Sequence, residues 1–344
     1  MINKSSFDIK QALMSISSAF GVSGYENSVH ERVIFHLEKY AKEIKIDKTQ
    51  NLIAYVNEQK ADRKTILIDA HLDQIGFVIT YIDDNGFIKL GELGRSDTRL
   101  FSAQSVTIYG KEQLKGVIAS LPPHVKNDSK KTPKLDEIYI DTGLSKSELE
   151  KKVKLGDAVL IDSTPVEMLN DRFYGRAFDN RCGVVSVLYA LSLLCKKQLN
   201  CNLVVQFSSQ EEVGTRGAMT GTFKINPDEA IVVDVSFGKT PELSLEHTAE
   251  LGSGVMIGFS SVLSKRLSKD FVKLAADENI PYTIEVMASS TGTNADPISQ
   301  TNAGVEAVTL SIPLRYMHTP VEVIDISDVK NTGELIAKYI GRYA

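Results

Sequence analysis

Four short apolar runs, each followed within a few residues by histidine or acidic side chains, constrain the fold of this chain most strongly. The runs are rich in β-branched residues and contain no charge, which is typical of strands that are buried on both faces. Segments with helical spacing lie between them, so the pattern predicts an α/β fold with a mostly parallel central sheet flanked by helices. The runs are Thr65–Ile68, Leu203–Phe207, Ala230–Val233 and Ala307–Ile312.

Two of the other segments predict helices. Glu26–Ile44 places Val29, Val33 and Leu37 at helical intervals, with lysine and glutamate between them. Arg181–Lys197 is apolar nearly all round, which is typical of a buried helix.

Residues 76–167 differ from the rest, because turn signals separate short strand candidates and helices are few. This pattern predicts a small β-barrel. A chain of 344 residues is also too long for one ordinary hydrophobic core. We therefore predict a discontinuous α/β domain over residues 1–75 and 168–344, interrupted by an inserted barrel over 76–167. The strand candidates are Phe77–Ile82, Phe87–Leu90, Ser105–Tyr109, Lys115–Ala119, Ile138–Ile140 and Ala158–Ile161.

Composition excludes several classes of protein. Hydrophobic residues make up 42% of the chain and charged residues 24%, which excludes a disordered or fibrous protein. The net charge of -5 argues against a protein that binds nucleic acid through a basic surface. No apolar run reaches the ~18–20 residues of a membrane helix, and Lys4, Asp8 and Lys10 interrupt the position of a signal-peptide core. With only three cysteines, the chain is expected to be cytoplasmic.

The polar residues that follow the four runs are of the kinds that bind metal ions. Because ligands bind beyond the carboxyl ends of strands in an open α/β sheet, we expect these residues to converge. Clustered carboxylates repel one another, and a cation removes that conflict. Histidine mixed with carboxylate suits Zn²⁺, Co²⁺ or Mn²⁺ better than Ca²⁺, and this many ligands favours two ions ~3.5–4 Å apart. The residues are His71, Asp73, Glu211, Glu212, Asp234 and His318, together with Asp179 in the turn before the buried helix.

Each of these residues has an ordinary structural explanation when it is taken alone. Adjacent acids such as Glu211 and Glu212 usually lie on a solvated surface. Asp179 is in a position where an acidic residue stabilises the start of a helix. The evidence for a common site is that all of the candidates fall at strand ends or at a helix start.

Other histidines and cysteines favour no site. His30 and His36 lie in a charged helix and are expected to be exposed. Cys182 is one turn from Asp179, but cysteine is among the most buried residue types and need not be a ligand. His124 and His247 have no strand-end placement and no partner pattern.

Five motifs, in order and spacing, resemble those of the dinuclear-metal aminopeptidases of the glutamyl-aminopeptidase and tetrahedral (TET) type. This family is often labelled cellulase M or endoglucanase. The resemblance covers nearly the whole chain, and its specificity lies in the ordered set rather than in any single motif. The motifs are AHLDQIGF (70–77), GRAFDNRCG (175–183), QEEVGTRGA (210–218), IVVDV (231–235) and RYMHTPVE (315–322).

The resemblance implies a site that holds two divalent metal ions. Asp179 is implied to bridge them, with His71 and Asp234 completing one ion's ligands and Glu212 and His318 completing the other's. Zn²⁺ is the implied ion, with Co²⁺ or Mn²⁺ as alternatives.

The resemblance also implies hydrolysis of the first peptide bond of short peptides. Glu211 is implied to be the general base and Asp73 to orient His71, and the peptide bond after Asp179 is implied to be cis. Adjacent residues near a strand end point in different directions, so Glu212 can face a metal while Glu211 faces the attacking water. The family further implies a homo-oligomer, a tetrahedral dodecamer, in which the inserted barrel contributes to assembly and to control of access.

Several alternatives stay open at this point. Asn294 stands where an acidic residue is expected in a loop near the substrate pocket, so glutamyl, leucyl and broad specificities all remain. A metal-dependent deacylase on the same scaffold would share fold and ligands. A glycoside hydrolase also uses paired carboxylates, but the absence of tryptophan removes its preferred sugar-stacking side chain. A peptide-binding assembly protein without catalysis would have no use for Glu211.

Overall fold

The computed structural model of the protein describes residues 7–119, 132–244, 246 and 248–344. Its α-helices are α1 (Ile9–Ser18), α2 (Asn27–Leu37), α3 (Lys146–Lys152), α4 (Phe178–Leu194), α5 (Arg216–Ile225), α6 (Lys265–Asp277), α7 (Ala295–Ser299) and α8 (Ile326–Ile340). Its strands are β1 (Glu43–Ile46), β2 (Leu52–Tyr55), β3 (Thr65–His71), β4 (Gly76–Ile82), β5 (Ile88–Leu93), β6 (Gln104–Tyr109), β7 (Gln113–Ala119), β8 (Tyr139–Asp141), β9 (Ala158–Ile161), β10 (Val166–Glu167), β11 (Arg172–Gly175), β12 (Asn202–Ser208), β13 (Glu229–Phe237), β14 (Val255–Phe259), β15 (Tyr282–Val286), β16 (Glu306–Leu314) and β17 (Glu322–Asp325). Within this described part of the chain, no helix is long and apolar enough to cross a membrane.

A mixed eight-stranded sheet forms the centre of the fold, in the order β1-β2-β12-β3-β13-β16-β14-β15. The strands β12, β3, β13 and β16 are parallel, whereas β1 and β2 pair antiparallel and β14 runs antiparallel to β16. The register sets Ser208 opposite His71 and Asp234 opposite Ser311, so the carboxyl ends of these strands meet at one edge. The predicted sheet flanked by helices is confirmed.

Alternate side chains of the central strands enter two separate apolar layers. Ile66 and Ile68 pack with residues of α1, α4 and α8, whereas Leu67 packs with residues of α5 and α7 on the other face. Because both faces are covered, the strands are apolar throughout rather than alternating. Helix α4 is buried along almost its whole length, as its composition predicted.

The strands β4-β5-β8-β7-β6-β9 form a closed barrel with antiparallel pairing. Its own apolar core includes Phe77, Ile108, Ile140 and Val159. Closure leaves no open sheet edge, so a barrel of short strands is stable as an insert. The predicted β-barrel is therefore confirmed.

Two local predictions near the N-terminus are wrong. The helix predicted over Glu26–Ile44 ends at Leu37, and the chain then enters β1, where the amide of Lys42 donates to Tyr55 O at 2.8 Å. The ring of His30 is buried rather than exposed, with Nε2 3.0 Å from the carbonyl oxygen of Gln50. His36 is half-buried against Phe7 and Phe35. The pairing of β1 with β2 and the contact of His30 with Gln50 both involve residues from outside the helical pattern, so no local signal encodes them.

Candidate metal centre

The residues singled out from the sequence lie together at the carboxyl edge of the parallel strands. His71 ends β3, Asp234 lies in β13, and Asp179 lies in the first turn of α4. Asp73 follows β3, and the other three, Glu211, Glu212 and His318, lie in the segments that follow β12 and β16.

Asp179 is at the centre of this group. Its Oδ1 lies 3.1 Å from Nε2 of His71, and its Oδ2 lies 3.4 Å from Nε2 of His318. Asp234 Oδ1 is 3.7 Å from His71 Nε2, and Glu212 Oε2 is 3.2 Å from His318 Nε2. The two oxygens of Asp179 therefore face two clusters. The first contains His71 and Asp234, and the second contains His318 and Glu212.

Irregular backbone brings these side chains inward. The peptide bond between Asp179 and Asn180 is cis, as the resemblance implied. Ala177, Gln210 and His318, each a candidate ligand or within two residues of one, have positive φ values of 60°, 57° and 61°. Such left-handed conformations cost roughly 1–2 kcal/mol for residues with a Cβ atom and tend to occur at functional sites.

Asp73 lies behind His71 and contacts three other residues of the site, His71, Glu211 and Glu212. Its carboxylate is 3.5 Å from Nδ1 of His71 and accepts the backbone amides of Glu211 at 3.0 Å and Glu212 at 3.2 Å. The hydroxyl of Ser23 donates to the same carboxylate at 2.6 Å. Asp73 thus fixes the segment that carries both glutamates through its carboxylate. Its backbone carbonyl oxygen, 3.1 Å from Nδ1, is the hydrogen-bond partner of His71.

The candidate site contains more acidic groups than histidines, and the pKa values of both kinds of group are shifted. Burial, together with the charges of adjoining carboxylates, raises the pKa of Glu211 to about 9 and that of Glu212 to about 7. Burial favours the neutral form of the His318 ring, yet hydrogen bonds to Asp179 and Glu212 raise its pKa to about 11. Burial likewise opposes protonation of His71, but neighbouring carboxylates hold its pKa well above the usual range. A cation would balance the negative charge that remains.

The donor set fits a divalent metal ion. Ligand atoms of His71, Asp179 and Glu212 all lie within 4.8 Å of one another. Imidazole nitrogen and carboxylate oxygen are the ligands that Zn²⁺, Co²⁺ and Mn²⁺ accept together. This cluster is a candidate metal site.

Glu322, the first residue of β17, belongs to this site and was missed by the sequence reasoning. Its side chain is only 2% exposed, and it accepts the backbone amides of Asp179 and His318. The one signal in the sequence was its place at the end of the RYMHTPVE motif. A motif position does not reveal which amides a carboxylate contacts.

The other residues considered are buried structural side chains or lie outside the described residues. The thiol of Cys182 is completely buried, and burial raises its pKa well above the usual value, as expected for a structural cysteine. The side chain of Asn294 is also fully buried and hydrogen-bonds Asp69 and Ser208, so it does not line an open pocket. His124 and His247 lie outside the residues that the structure describes.

A cavity of about 40 Å³ opens beside His318, at the junction of the barrel and the α/β sheet. Its walls are mainly apolar and include Phe77, Leu100 and Phe101 of the barrel segment. The barrel therefore contributes side chains immediately next to a candidate ligand.

Comparison with known proteins identifies the family. The model of the M42 glutamyl aminopeptidase family matches residues 50–335. The lysyl aminopeptidase of Pyrococcus furiosus is 30% identical over 94% of this chain and 94% of that protein. The structure of aminopeptidase APDkam598 from Desulfurococcus kamchatkensis is 32% identical, covers 96% of this chain and 95% of that chain, and has a TM-score of 0.90. The TET1 peptidase of Pyrococcus horikoshii, described as assembling into a tetrahedron or a large octahedral shell, is 28% identical over 97% of this chain and 99% of that chain, with a TM-score of 0.87. From these matches and the site, the chain belongs to the M42 glutamyl aminopeptidase family and is a peptide hydrolase.

Proposed function

We propose that the protein removes N-terminal residues from short peptides, using two divalent metal ions and Glu211 as the general base. The observation that carries this proposal is the position of Asp179, whose two carboxylate oxygens face His71 and His318 separately. A carboxylate placed in this way can be shared by two ions.

The proposed ligands of the two ions follow from the contacts. His71 and Asp234 would hold one ion, Glu212 and His318 the other, and Asp179 both. Zn²⁺ is the proposed ion, with Co²⁺ or Mn²⁺ as alternatives. When bound, the pair of ions would polarise the scissile carbonyl and lower the pKa of the attacking water.

Glu211 carries the proton transfers in this proposal, which requires its ionised form. Burial raises its pKa in the metal-free site, and cations bound beside it would lower that pKa. It is half-buried at the open side of the cluster, and its backbone is fixed by the bond from its amide to Asp73. Glu211 accepts a proton from water as the water oxygen bonds the carbonyl carbon. It then gives that proton to the nitrogen of the departing peptide as the C–N bond breaks. The base is therefore unchanged at the end of the cycle.

Restriction to the first residue would follow from recognition of the free α-amine, which an internal peptide bond lacks. The proposed ions and the acidic groups around them would hold this amine. The related P. furiosus enzyme is named a lysyl aminopeptidase, whereas the family is named for glutamyl substrates. The N-terminal residue that this protein prefers is therefore to be measured.

We further propose that the two domains have different roles. Residues 1–75 and 168–344 would form the catalytic domain, and residues 76–167 would contribute to homo-oligomerisation and access to the site. The large shells described for the P. horikoshii TET1 peptidase support a similar assembly, with a dodecamer as the expected form. All three cysteines are free, which fits a reducing compartment such as the cytoplasm.

A panel of aminoacyl p-nitroanilides tests the proposed activity. Protein stripped with a chelator is given Zn²⁺, Co²⁺ or Mn²⁺, and wild type is compared with Glu211→Gln and with the exposed control Glu31→Gln. We expect activity to return with metal in wild type and control, and to fall at least 100-fold in Glu211→Gln at unchanged metal content. Full activity in Glu211→Gln would exclude it as the base.

An N-acetylated amino acid in the same assay separates the alternative reaction. Cleavage of that substrate with no release from any free-amine anilide would replace the aminopeptidase by a deacylase. Metal binding with no turnover of either substrate would favour a binding protein.

A further inference from the structure

Glu322 is a buried acid that none of the proposed chemical steps uses. It begins β17 and lies opposite Gly175 in the β11–β17 ladder, at the edge of the candidate metal site. Among the described residues, no ion pair to Glu322 is found. A buried carboxylate without a cationic partner is unfavourable unless hydrogen bonds from the protein replace its lost hydration.

Both oxygens of Glu322 are engaged by the backbone of residues in the site. Oε2 accepts the amide of Asp179 at 3.2 Å, and Oε1 accepts the amide of His318 at 3.1 Å. These two residues are 139 positions apart in sequence (318 minus 179), so no shared helix or turn could set their separation. The carboxylate joins the two segments directly.

The two segments need such a connection because neither is held by regular structure. Asp179 and Asn180 have non-helical backbone angles although they lie within the first turn of α4. His318 has a left-handed φ of 61° in the connection between β16 and β17. Their side chains nevertheless approach to 3.4 Å, between Asp179 Oδ2 and His318 Nε2.

We propose that Glu322 is a positioning residue that fixes Asp179 and His318 at the separation needed to bind a metal ion. The proposal rests on the metal site of the proposed function. It assigns Glu322 to the second of the two clusters, where Glu212 also contacts His318. The hydrogen bonds act through the backbone, so Glu322 itself need not touch the ion.

A purely structural role for the carboxylate would predict a different outcome. Strand β17 is already held by its ladder with β11, and Ile324 anchors it in the core. Loss of one carboxylate oxygen should therefore loosen the metal site more than it loosens the fold. Metal affinity and the stability of the metal-free protein separate the two effects.

The test compares Glu322→Gln with Glu285→Gln in the full-length chain. Glutamine preserves the shape of Glu322 but can accept only one of the two amides, because its other polar atom is a donor. Glu285 is a matched control, since it is partly buried near Asp234 but accepts from the hydroxyls of Ser236 and Ser311, which can reverse their hydrogen bonds. Both changes replace a carboxyl group near the site by a neutral amide of the same size.

Zinc affinity is measured by calorimetry on chelator-stripped protein, and thermal unfolding is followed without metal. We expect Glu322→Gln to weaken zinc binding by about 10–100-fold at one or both sites, the usual effect of losing a group that orients a ligand. We expect its metal-free Tm to stay close to that of wild type and Glu285→Gln to bind zinc within about twofold of wild type. The Glu322→Asp variant, which keeps two acceptors on a shorter side chain, should bind better than Glu322→Gln.

Three results would overturn the proposal. Wild-type zinc affinity in Glu322→Gln would remove the positioning role while leaving the metal site intact. Equal losses in Glu322→Gln and Glu285→Gln would assign the effect to the loss of any carboxyl group near the site. A fall in metal-free Tm without a change in zinc affinity would make the role structural. If wild type itself bound no zinc, the proposed function would fail together with this inference.

Discussion

The side-chain amide of Asn294 donates to Oδ2 of Asp69 at 2.8 Å, below the candidate metal site. Both residues are fully buried, and Ser208 and Gln206 complete the hydrogen bonds of this carboxylate. The neutral amide therefore supplies a donor that an acidic residue at position 294 would lack.

Asn294→Asp is expected to destabilise the protein, because it sets two buried carboxyl groups against each other. The expected loss is about 2–3 kcal/mol of unfolding free energy at pH 7, measured by urea denaturation. Asn302→Asp is the control, since Asn302 is exposed and its side chain bonds Asn226 and Phe223. Equal stability of the two variants would contradict the assigned role of the amide.

Removal of metal is expected to lower stability through mass action. Addition of Zn²⁺ at 100 times its Kd should raise the unfolding free energy by about 2.7 kcal/mol for each ion that binds only the native state. His318→Ala should lose a large part of this gain. His36→Ala, a half-buried histidine packed on Phe7 and Phe35, should keep it. An equal zinc response in the two variants would remove His318 from the ligand set.

Asp73→Asn is expected to weaken the site even though Asp73 is not a proposed ligand. Asparagine offers one acceptor oxygen, whereas Asp73 now accepts the amides of Glu211 and Glu212 on separate oxygens. We expect zinc affinity to fall about 10–100-fold and kcat to fall with it. Ser23→Ala removes only one donor to Asp73 and should have a smaller effect on both quantities. A larger loss in Ser23→Ala would reverse this ranking.

Stability should decrease with rising pH because of Asp328. Burial raises the pKa of this carboxyl to about 7, and the charge of Asp325 adds to the shift, although the amides of Gly252 and Gly254 and the charge of Arg172 oppose it. Between about pH 4 and pH 7 the native protein keeps a proton that the unfolded chain has released. This proton favours the native state at low pH, and its contribution is lost as pH rises towards 7.

Asp328→Asn removes this titration. The dependence of unfolding free energy on pH should become less steep by up to about 1.4 kcal/mol per pH unit in that range, measured by urea midpoints from pH 4 to 8. Identical slopes in wild type and variant would show that Asp328 has an ordinary pKa.

Gly183→Ala is expected to destabilise the protein, although alanine normally favours a helix over glycine by roughly 1 kcal/mol. A Cβ atom at this position in α4 would lie 2.1 Å from Oδ1 of Asn180. The side chain of Asn180 is fixed by its bond to Val233 O at 2.7 Å, so it cannot move without cost. We expect a loss of about 1–3 kcal/mol and weaker zinc binding, because Asn180 follows Asp179. A stabilised variant would contradict this geometry.

Much of the fold was predictable from the sequence because its signals are local. Apolar β-branched runs located the central strands β3, β12, β13 and β16, and turn signals located the strands of the barrel. The candidate ligands were predictable for the same reason, since histidine and acidic residues at strand ends in a parallel sheet must meet at one edge. The structure brings them within a few ångströms of one another.

Other features depended on contacts between distant segments. The helix after Glu26 stops early because β1 pairs with β2, and His30 is buried because Gln50 packs over it. The amides held by Glu322 and the partner of Asn294 also come from remote parts of the chain.

The sequence by itself determined which residue types lie at the ends of the strands, and so the chemistry available to the site. Only the tertiary structure decided that Asp179 faces two histidines and that Glu322 accepts the amides of two candidate ligands from remote segments. Periodicity reports which side of an element is buried, but it carries no information on which remote backbone amide a buried carboxylate will meet. That choice is made when the irregular segments around the sheet pack against one another.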